Sequence, residues 1–330
     1  MLKFIAKRIL MLIPVLLGVT FIIFTMMYFT PGDPARLILG DTATQEEVDA
    51  LREEMGLNDG FFPRYFAYLG GLLHGDLGTS YTTKMPVKDE ISDRFPVTFR
   101  LAVGCIVFSA LIGIPAGIIS AIKQYSLLDN VVTIAALLGV TMPNFWLAMM
   151  LILFFSVYLG ILPASGLYGW KYYIMPIMSI SAATLATVTR MTRSSMLDVI
   201  RADYVRTARA KGLSERTVIF KHMLKNALIP IITVLGVQFA STLCGAVVNE
   251  QVFAIPGLGK MMVDAIKNRN YPVVQGGVFI IALIYCVVNL LVDILYAYVD
   301  PRIKGQYTKA KVYVKQEEPG ADSGDNKAEA

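Results

Sequence analysis

The chain has 330 residues, of which 55% are hydrophobic and only 17% are charged. These proportions exclude an ordinary soluble domain and indicate an integral membrane protein. The net charge of +5 is explained by Lys and Arg in cytoplasmic loops, so no nucleic-acid partner is expected. The three cysteines lie unpaired in apolar runs and the two histidines are isolated, which predicts neither a disulfide framework nor a metal site.

Residues 1–30 predict a cytoplasmic N-terminus and a first membrane span. Lys3, Lys7 and Arg8 precede an apolar run over 9–29. A secretory signal peptide would have a shorter apolar region and a small-residue cleavage site. The run of about 21 residues is long enough to cross a bilayer, so we expect an uncleaved span.

Residues 31–96 form the longest polar stretch, in which acidic residues outnumber basic ones, and we expect it outside the cell. Thr44 and Glu47 have the spacing of a capping box, which predicts a helix beginning there. An amphipathic, aromatic-rich segment over 61–73 is suited to the membrane interface. A further short helix is expected over 86–95, before Pro96.

Residues 97–304 predict the core transmembrane domain. Met142 and Pro143 should kink its second span. With the first span, this gives an all-α integral membrane protein with six transmembrane helices and both termini in the cytoplasm. The polar tail over 305–330 is expected to be disordered towards its end. The five spans of the core are expected at 97–122, 131–159, 173–189, 227–248 and 273–299.

A basic segment follows the fourth span and should face the cytoplasm. Within it, Asp203 is predicted to be the N-cap of a short helix, and Gly212 is suited to the left-handed residue that ends one. The segment over 203–213 is either a solvated basic loop or a helix that a partner protein grips. The candidate docking residues are Asp203, Tyr204, Arg206, Thr207, Ala208, Arg209, Ala210, Lys211, Gly212 and Leu213.

Small and hydroxylated residues crowd the fourth span and recur in the fifth. Such residues allow helices to approach closely and to form interhelical hydrogen bonds, and they could also line a polar pathway. Tight packing is the favoured interpretation. The candidate pathway or packing residues are Ser179, Ser181, Thr184, Thr187, Gln238 and Ser241.

No set of residues in the sequence predicts catalysis. The chain has no converging nucleophile and base, no metal-ligand cluster and no Gly-rich, Lys-containing phosphate loop. Asp293 is an intramembrane carboxylate near a helix end, for which solvation or pairing with an arginine is expected. Glu250 is placed at an outer boundary and given little weight.

The segment from Asp203 to Gly212 resembles the cytoplasmic signature of bacterial ABC-importer permeases, in the oligopeptide and dipeptide branch. The general pattern opens with Glu-Ala-Ala and ends on Gly, and of these positions only Ala208 and Gly212 match. The peptide branch instead has the Arg-Thr-Ala-Arg-Ala-Lys-Gly found here. Further segments that resemble this branch, in order, are 31–34, 74–78, 190–197, 220–222, 226–230, 256–259, 271–276 and 300–302.

This resemblance covers the chain to about Lys304 and implies a type I ABC-importer permease fold in the bacterial cytoplasmic membrane. The implied partners are a second homologous permease, two ABC ATPase subunits and an extracellular substrate-binding protein. The helix at 203–213 would couple to an ATPase. ATP and Mg would be bound by those ATPases, and this chain would bind no cofactor. The implied cargo is di- or oligopeptides.

Two alternatives remain open. Nickel-importing permeases resemble the same branch, so nickel or another small solute is a second cargo class. A stand-alone secondary transporter or channel belongs to a different class, and the absence of a visible inverted repeat and of many intramembrane charges argues against it. A membrane-embedded enzyme is the least favoured interpretation.

Overall fold

The computed structural model describes residues 2–40 and 42–299, and within these ranges the chain is built from helices. The only β contact of the described residues is an isolated antiparallel bridge between Thr79 and Pro86. The tail predicted at 305–330 lies outside the described residues. The helices are α1 (Leu2–Phe29), α2 (Pro34–Leu39), α3 (Gln45–Glu54), α4 (Phe61–Leu73), α5 (Val87–Ile122), α6 (Leu127–Thr141), α7 (Asn144–Leu151), α8 (Lys171–Ile200), α9 (Asp203–Ala210), α10 (Glu215–Thr217), α11 (Leu224–Gly245), α12 (Val247–Val252), α13 (Leu258–Lys267) and α14 (Tyr271–Val299), with π-helical segments at Ile152–Tyr158 and Val218–Met223.

Among the described residues, five helices are long and apolar enough to cross a membrane. They are α1, α5, α8, α14 and a continuous helix over 215–245 that joins α10, the second π-helical segment and α11. The remaining predicted span, 131–159, is a pair of helices that meet at 105° beside Pro143. Proline lacks a backbone N–H, which explains the break there. The described residues therefore contain six candidate spans when this bent pair is counted as one. The kink that the sequence predicted is present, and the observed bend is much sharper than expected.

Two helices extend further than the sequence pattern predicted. The short helix expected at 86–95 and the span expected at 97–122 are one helix of 36 residues, α5, with Pro96 and Pro115 inside it. The predicted break at Pro96 is therefore wrong. A helix of that length measures about 54 Å, so part of it must project beyond a hydrocarbon core of about 30 Å. Likewise, α8 continues to Ile200 and carries Arg190 and Arg193 on a helix rather than in a loop.

Helices α5 and α8 pack together at the centre of the bundle. Gly117 permits the contact, since a Cβ at this position would lie 2.5 Å from the Cβ of Thr192. Helices α6, α7 and α11 also contact α8, while α11 contacts α14 and α14 contacts α1. Small residues of α8 thus lie at its close contact with α5, as expected for residues that allow close helix approach.

Buried apolar clusters hold the two ends of the bundle. One joins the end of α5 and the later part of α8 to α9, through Ile118, Met196 and Val205, and we call this the α9 end. Another joins the start of α5 to α13 and the start of α14, through Val87, Leu258 and Val273, and we call this the α13 end. The bundle therefore has two compact ends that carry different short helices.

The segment between α1 and α5 folds against α1 at the α13 end. Its predicted capping box is confirmed, because the Thr44 hydroxyl accepts from the Glu47 N–H and the Thr44 N–H donates to Glu47 Oε2 at 2.9 Å. Helix α4 packs on α1 through edge-on aromatic contacts, with the rings of Phe24 and Phe61 centred 5.3 Å apart. Edge-to-face geometry is the favoured arrangement of such rings.

Asp293 has the arginine partner that the sequence led us to expect. Its Oδ2 atom lies 2.8 Å from Nη1 of Arg8, and both side chains are partly exposed. The pair joins the start of α1 to the later part of α14. Pairing removes the cost of an isolated carboxylate in an apolar helix, so Asp293 has a structural explanation.

Candidate functional site

Helix α9 is the candidate docking helix. It begins one residue earlier than the sequence indicated, because Ala202 is the extended N-cap residue and Asp203 is already helical. The predicted N-cap role of Asp203 is therefore wrong. Its carboxylate instead lies in the first turn, where negative charge complements the helix dipole. At the other end, Gly212 has φ of +75°, which confirms the predicted left-handed ending.

One face of α9 is anchored to its own chain. Val205 is fully buried and Ala208 is 5% exposed. The two residues are three apart, so they lie on the same side of the helix. They pack into the cluster that includes Ile118, Met196 and Met223. Ala208, which matched the general permease signature, thus faces inward and holds α9 against the bundle.

The opposite side, which we call the outer face of α9, is open. Nη1 of Arg206 lies 3.9 Å from Oδ1 of Asp203, and both side chains are exposed to solvent. An exposed ion pair of this kind contributes little to stability. No described side chain covers this face, which offers charged, hydroxyl and small groups together. The outer face consists of Asp203, Tyr204, Arg206, Thr207 and Ala210, all exposed.

The turn after α9 is fastened by a two-pronged ion pair. Arg209 donates from Nε to Glu215 Oε1 at 2.8 Å and from Nη2 to Oε2 at 3.2 Å. Hydrogen bonding to Glu215 raises the pKa of Arg209 further above its usual range. Lys211, Gly212 and Leu213 lie exposed inside the turn that this pair closes. The Arg209 guanidinium is thus paired with Glu215 of the same chain, and we do not count Arg209 in the outer face.

A buried ionic network lies near α9. Arg193 of α8 donates to Asp129 at the start of α6, from Nε to Oδ1 at 2.7 Å and from Nη2 to Oδ2 at 2.8 Å. Ser120, near the end of α5, also donates to Asp129. Asp129 is only 3% exposed. This network joins α5, α6 and α8, and α8 leads directly into α9.

The small polar residues of α8 make hydrogen bonds within the bundle. Ser179 and Ser181 are fully buried, and Ser179 donates to Asn249 Oδ1 at 2.7 Å. Thr184, also buried, accepts from Gln238 of α11 at 3.4 Å. The structure therefore brings these four residues into the contacts of α8 with its neighbours.

Thr187 and Ser241 differ in their surroundings. Thr187 is half-buried and donates to the carbonyl of Ala183 in its own helix, at 2.8 Å. Ser241 is exposed on α11. Whether any of the six residues lines a pathway stays a prediction.

Glu250 lies in a buried site that the sequence analysis missed. The residue is fully buried, and its carboxylate accepts from the Thr98 hydroxyl at 2.6 Å and from the Lys260 N–H at 2.9 Å. Burial raises the pKa of Glu250, although these hydrogen bonds oppose the shift. The sequence pattern did not indicate this burial, and the position of Glu250 at an outer boundary stays a prediction.

Gly257 explains why the Pro-Gly-Leu-Gly sequence stands beside Glu250. A Cβ at Gly257 would lie 2.2 Å from Glu250 Oε1, so no other residue fits without displacing the carboxylate. Thr98 also accepts from the Leu258 N–H at 2.9 Å. Gly257 and Glu250 are both visible in the sequence, but the sequence does not show that they lie together. The fold brings both of them against Thr98 of α5.

The described residues contain no group of three or more His, Cys, Asp or Glu side chains placed to hold a metal ion. His74 uses Nδ1 to contact the carbonyl of Gly70 at 2.8 Å, which is a local contact within the turn after α4.

The described residues thus form a bundle of helices long and apolar enough to cross a membrane, with the short helix α9 held outside the bundle between two spans. Comparison with known families agrees. The chain belongs to the family of binding-protein-dependent transport system inner membrane components, whose model matches residues 113–305, and the N-terminal model of the same group matches residues 1–102. It is a permease subunit of an ABC importer and functions with other ABC components. Its homologues are transport permeases, not enzymes.

Two curated relatives are similar over nearly their whole lengths. The dipeptide transport system permease protein DppB of Alkalihalophilus pseudofirmus is 42% identical, over 92% of this chain and 100% of its own. The glutathione transport system permease protein GsiC of Escherichia coli K12 is 41% identical, over 92% of this chain and 99% of its own. These matches place the chain in the peptide-permease branch.

Solved structures agree on the fold. A chain of the MetNI methionine ABC transporter, from an inward-facing crystal structure, superposes with a TM-score of 0.55 at 17% identity, covering 64% of this chain and 96% of its own. A second inward-facing form of the same transporter gives a TM-score of 0.52 with the same coverage. At this identity the likeness supports the ABC-permease fold alone.

Proposed function

We propose that this permease pairs with a homologous second permease and forms with it the translocation pathway for dipeptides and other short peptides. The observation that carries the proposal is the similarity to DppB and GsiC over 92% of the chain, since those proteins are named for a dipeptide and for the tripeptide glutathione. An extracellular binding protein would deliver the peptide.

The proposed arrangement places the α9 end in the cytoplasm of a bacterium and the α13 end outside its cytoplasmic membrane. The segment from Arg190 to Lys225, around α9, has many more basic than acidic residues, which favours a cytoplasmic location. The segment over 31–96 has more acidic than basic residues, and it would meet the binding protein. Both termini would then be cytoplasmic.

Helix α9 is proposed to dock in a groove on one of two ATPase subunits, which bind ATP and Mg. Support comes from its two faces. Val205 and Ala208 fix the helix to the bundle, and the outer face is exposed for a partner. Because α9 is joined to α8 on one side and through the Arg209–Glu215 turn to α11 on the other, a movement of the ATPase would move both spans as a rigid body.

The alternating-access step follows from this linkage. ATP binding would close the ATPases and shift the population of the permease pair between inward-open and outward-open states. In this proposal α9 contributes no chemistry. Its role is to transmit force to spans that contain Thr184 and Gln238, two of the candidate pathway residues.

The proposal is tested by purifying the chain from its native membrane in mild detergent and reconstituting what accompanies it. We expect two ATPases and a second six-span permease, and ATP-dependent uptake of labelled dipeptide or glutathione into liposomes that contain the assembly and the binding protein. Uptake of nickel but not of either peptide would overturn the cargo. Transport by the isolated chain without ATPases would overturn the mechanism.

A further inference from the structure

Two adjoining cavities lie at the α13 end. The proposed docking of α9 gives them no role. Their volumes are about 270 and 410 Å³. They lie between the end of α1, the segment of α3 and α4, and the start of α14. Tyr28, Arg64 and Tyr271 line both of them. Together they fall within the size range of small-molecule sites.

Arg64 has no ion-pair partner among the described residues. Its guanidinium lies 5.2 Å from the centroid of the Tyr28 ring, a cation–π contact that leaves its N–H groups free of a counter-charge. Neither acidic side chain of the cavity walls, Asp33 or Asp59, forms an ion pair with it. Asp33 is bound to Arg52 at 2.7 Å, and Asp59 is exposed.

Tyr271 provides a second, independent sign of a ligand site. The residue is 8% exposed, and its buried hydroxyl has no hydrogen-bond partner among the described residues. Buried polar groups in native structures are generally satisfied. The Tyr271 hydroxyl and the Arg64 guanidinium therefore belong to residues that line the same cavities. Neither group is satisfied by an ion pair or hydrogen bond from the described residues.

The remaining wall is aromatic. Tyr68 and Tyr81 line the smaller cavity, and Tyr68 donates to the carbonyl of Gln275 at 3.4 Å. Burial raises the pKa of Tyr81 to about 12, so its hydroxyl remains neutral at physiological pH. An arginine that has no ion pair among the described residues and lies beside tyrosine rings is suited to an anionic group attached to an apolar body.

We propose that these cavities bind the carboxylate of a short peptide, with Arg64 as the counter-charge, Tyr271 as a hydroxyl donor and the tyrosine rings as walls for the peptide side chains. The choice of a peptide rests on the proposed function, whereas the demand for a carboxylate rests on Arg64 and Tyr271. A planar guanidinium pairs with a carboxylate through two parallel hydrogen bonds. The site would hold peptide at the outer surface, apart from the α8 and α11 residues.

The test measures equilibrium binding of radiolabelled Ala-Phe to the full chain in phospholipid nanodiscs, alongside its C-terminal amide and inorganic phosphate. We expect Ala-Phe to bind and to raise the midpoint of thermal unfolding, while the amide binds much more weakly. Arg64→Gln should weaken Ala-Phe binding about tenfold or more, since a charge-assisted pair is lost. Tyr271→Phe should weaken it less, and Arg64→Lys should retain part of it.

Arg36→Gln is the matched control, because Arg36 is an exposed arginine on α2 whose partner is the neutral Gln45. It should bind Ala-Phe as the parent chain does. Three results would overturn the inference: no binding of Ala-Phe, equal binding of the amide, or equal binding by Arg64→Gln in a variant that unfolds at the parental midpoint. Binding of phosphate with no binding of Ala-Phe would also overturn it.

Uptake by the complete assembly separates this inference from the proposed function. ATP-driven uptake of Ala-Phe with no binding to the isolated chain would overturn the cavity alone. Binding that depends on Arg64, together with an assembly that takes up no peptide, would overturn the proposed transport and confirm the carboxylate site.

Discussion

Arg193 forms a two-pronged ion pair with the buried Asp129 that joins α8 to the start of α6, with donor–acceptor distances of 2.7 and 2.8 Å. The Asp129 side chain is 4% exposed and that of Arg193 is 29% exposed. Because α8 leads into α9, the pair fixes the helix from which α9 extends. We infer that this ion pair, with Ser120, keeps α5, α6 and α8 together when a force acts on α9.

Asp129→Ala is expected to lower the free energy of unfolding by about 3 kcal/mol, because it leaves the Arg193 guanidinium without its counter-charge. Equilibrium unfolding in mixed micelles would measure the change. Glu215→Ala is the control, since it removes an equally direct but exposed arginine pair and should cost less than about 1 kcal/mol. Equal losses in the two variants would contradict a special role for the buried pair.

Gly257→Ala is expected to destabilise the α13 end by about 1–3 kcal/mol, because the added Cβ would overlap the Glu250 carboxylate. Gly245→Ala is the matched control. A Cβ at Gly245 meets no atom within 4 Å, so stability should be nearly unchanged. The same unfolding measurement applies, and a parental midpoint for Gly257→Ala would show that the contact at Glu250 is easily relieved.

Glu250 should make stability depend on pH in a defined direction. Burial raises the pKa of Glu250 above the usual 4.5, so the folded chain binds a proton that the unfolded chain releases. The stabilisation by the neutral carboxyl is fully present below pH 4.5 and is lost as the pH rises through the folded-state pKa. Midpoints of thermal unfolding against pH should therefore fall over this window, and Glu250→Gln should remove the fall.

Glu47 provides a control of opposite sign. Hydrogen bonding to the Thr44 backbone and hydroxyl lowers the pKa of Glu47, so its contribution is lost as the pH falls through that lowered pKa. Glu47→Gln should flatten the acidic side of the profile and leave the Glu250 window unchanged. An unaltered profile in Glu250→Gln would mean that another group titrates there.

The two faces of α9 predict different outcomes for the same substitution. Ala208→Leu overfills the buried cluster and should cost about 1–3 kcal/mol of stability as well as transport. Ala210→Leu lies on the exposed outer face and should change stability by less than about 0.5 kcal/mol while reducing ATP-driven uptake. Unchanged uptake in Ala210→Leu would remove the outer face from the proposed docking surface.

Much of the fold follows from local sequence signals. The apolar runs locate the spans, Pro143 marks the bend, Thr44 with Glu47 fixes the start of α3, and Gly212 ends the docking segment as expected. Each of these features depends on residues that are neighbours in sequence. They are therefore available to pattern reasoning.

The features that the sequence did not predict depend on contacts between distant segments. Glu250 is buried because α5 and α13 cover it, with Thr98 more than 150 positions away. The inward direction of Ala208 is set by packing against Ile118 and Met223. The helix start at Asp203 was misjudged because Ala202 takes the extended N-cap conformation without a capping side chain. For Glu250 and Ala208, tertiary packing decides what local sequence preference could not.

The central claim, that the outer face of α9 meets an ATPase, is tested most directly by crosslinking. Ala210→Cys and Ala208→Cys would each be treated with a short thiol crosslinker in the intact assembly purified from membranes. We predict a permease–ATPase product for Ala210→Cys that changes in yield when ATP is added, and none for Ala208→Cys. An intact assembly in which Ala210→Cys gives no ATPase product would contradict the claim.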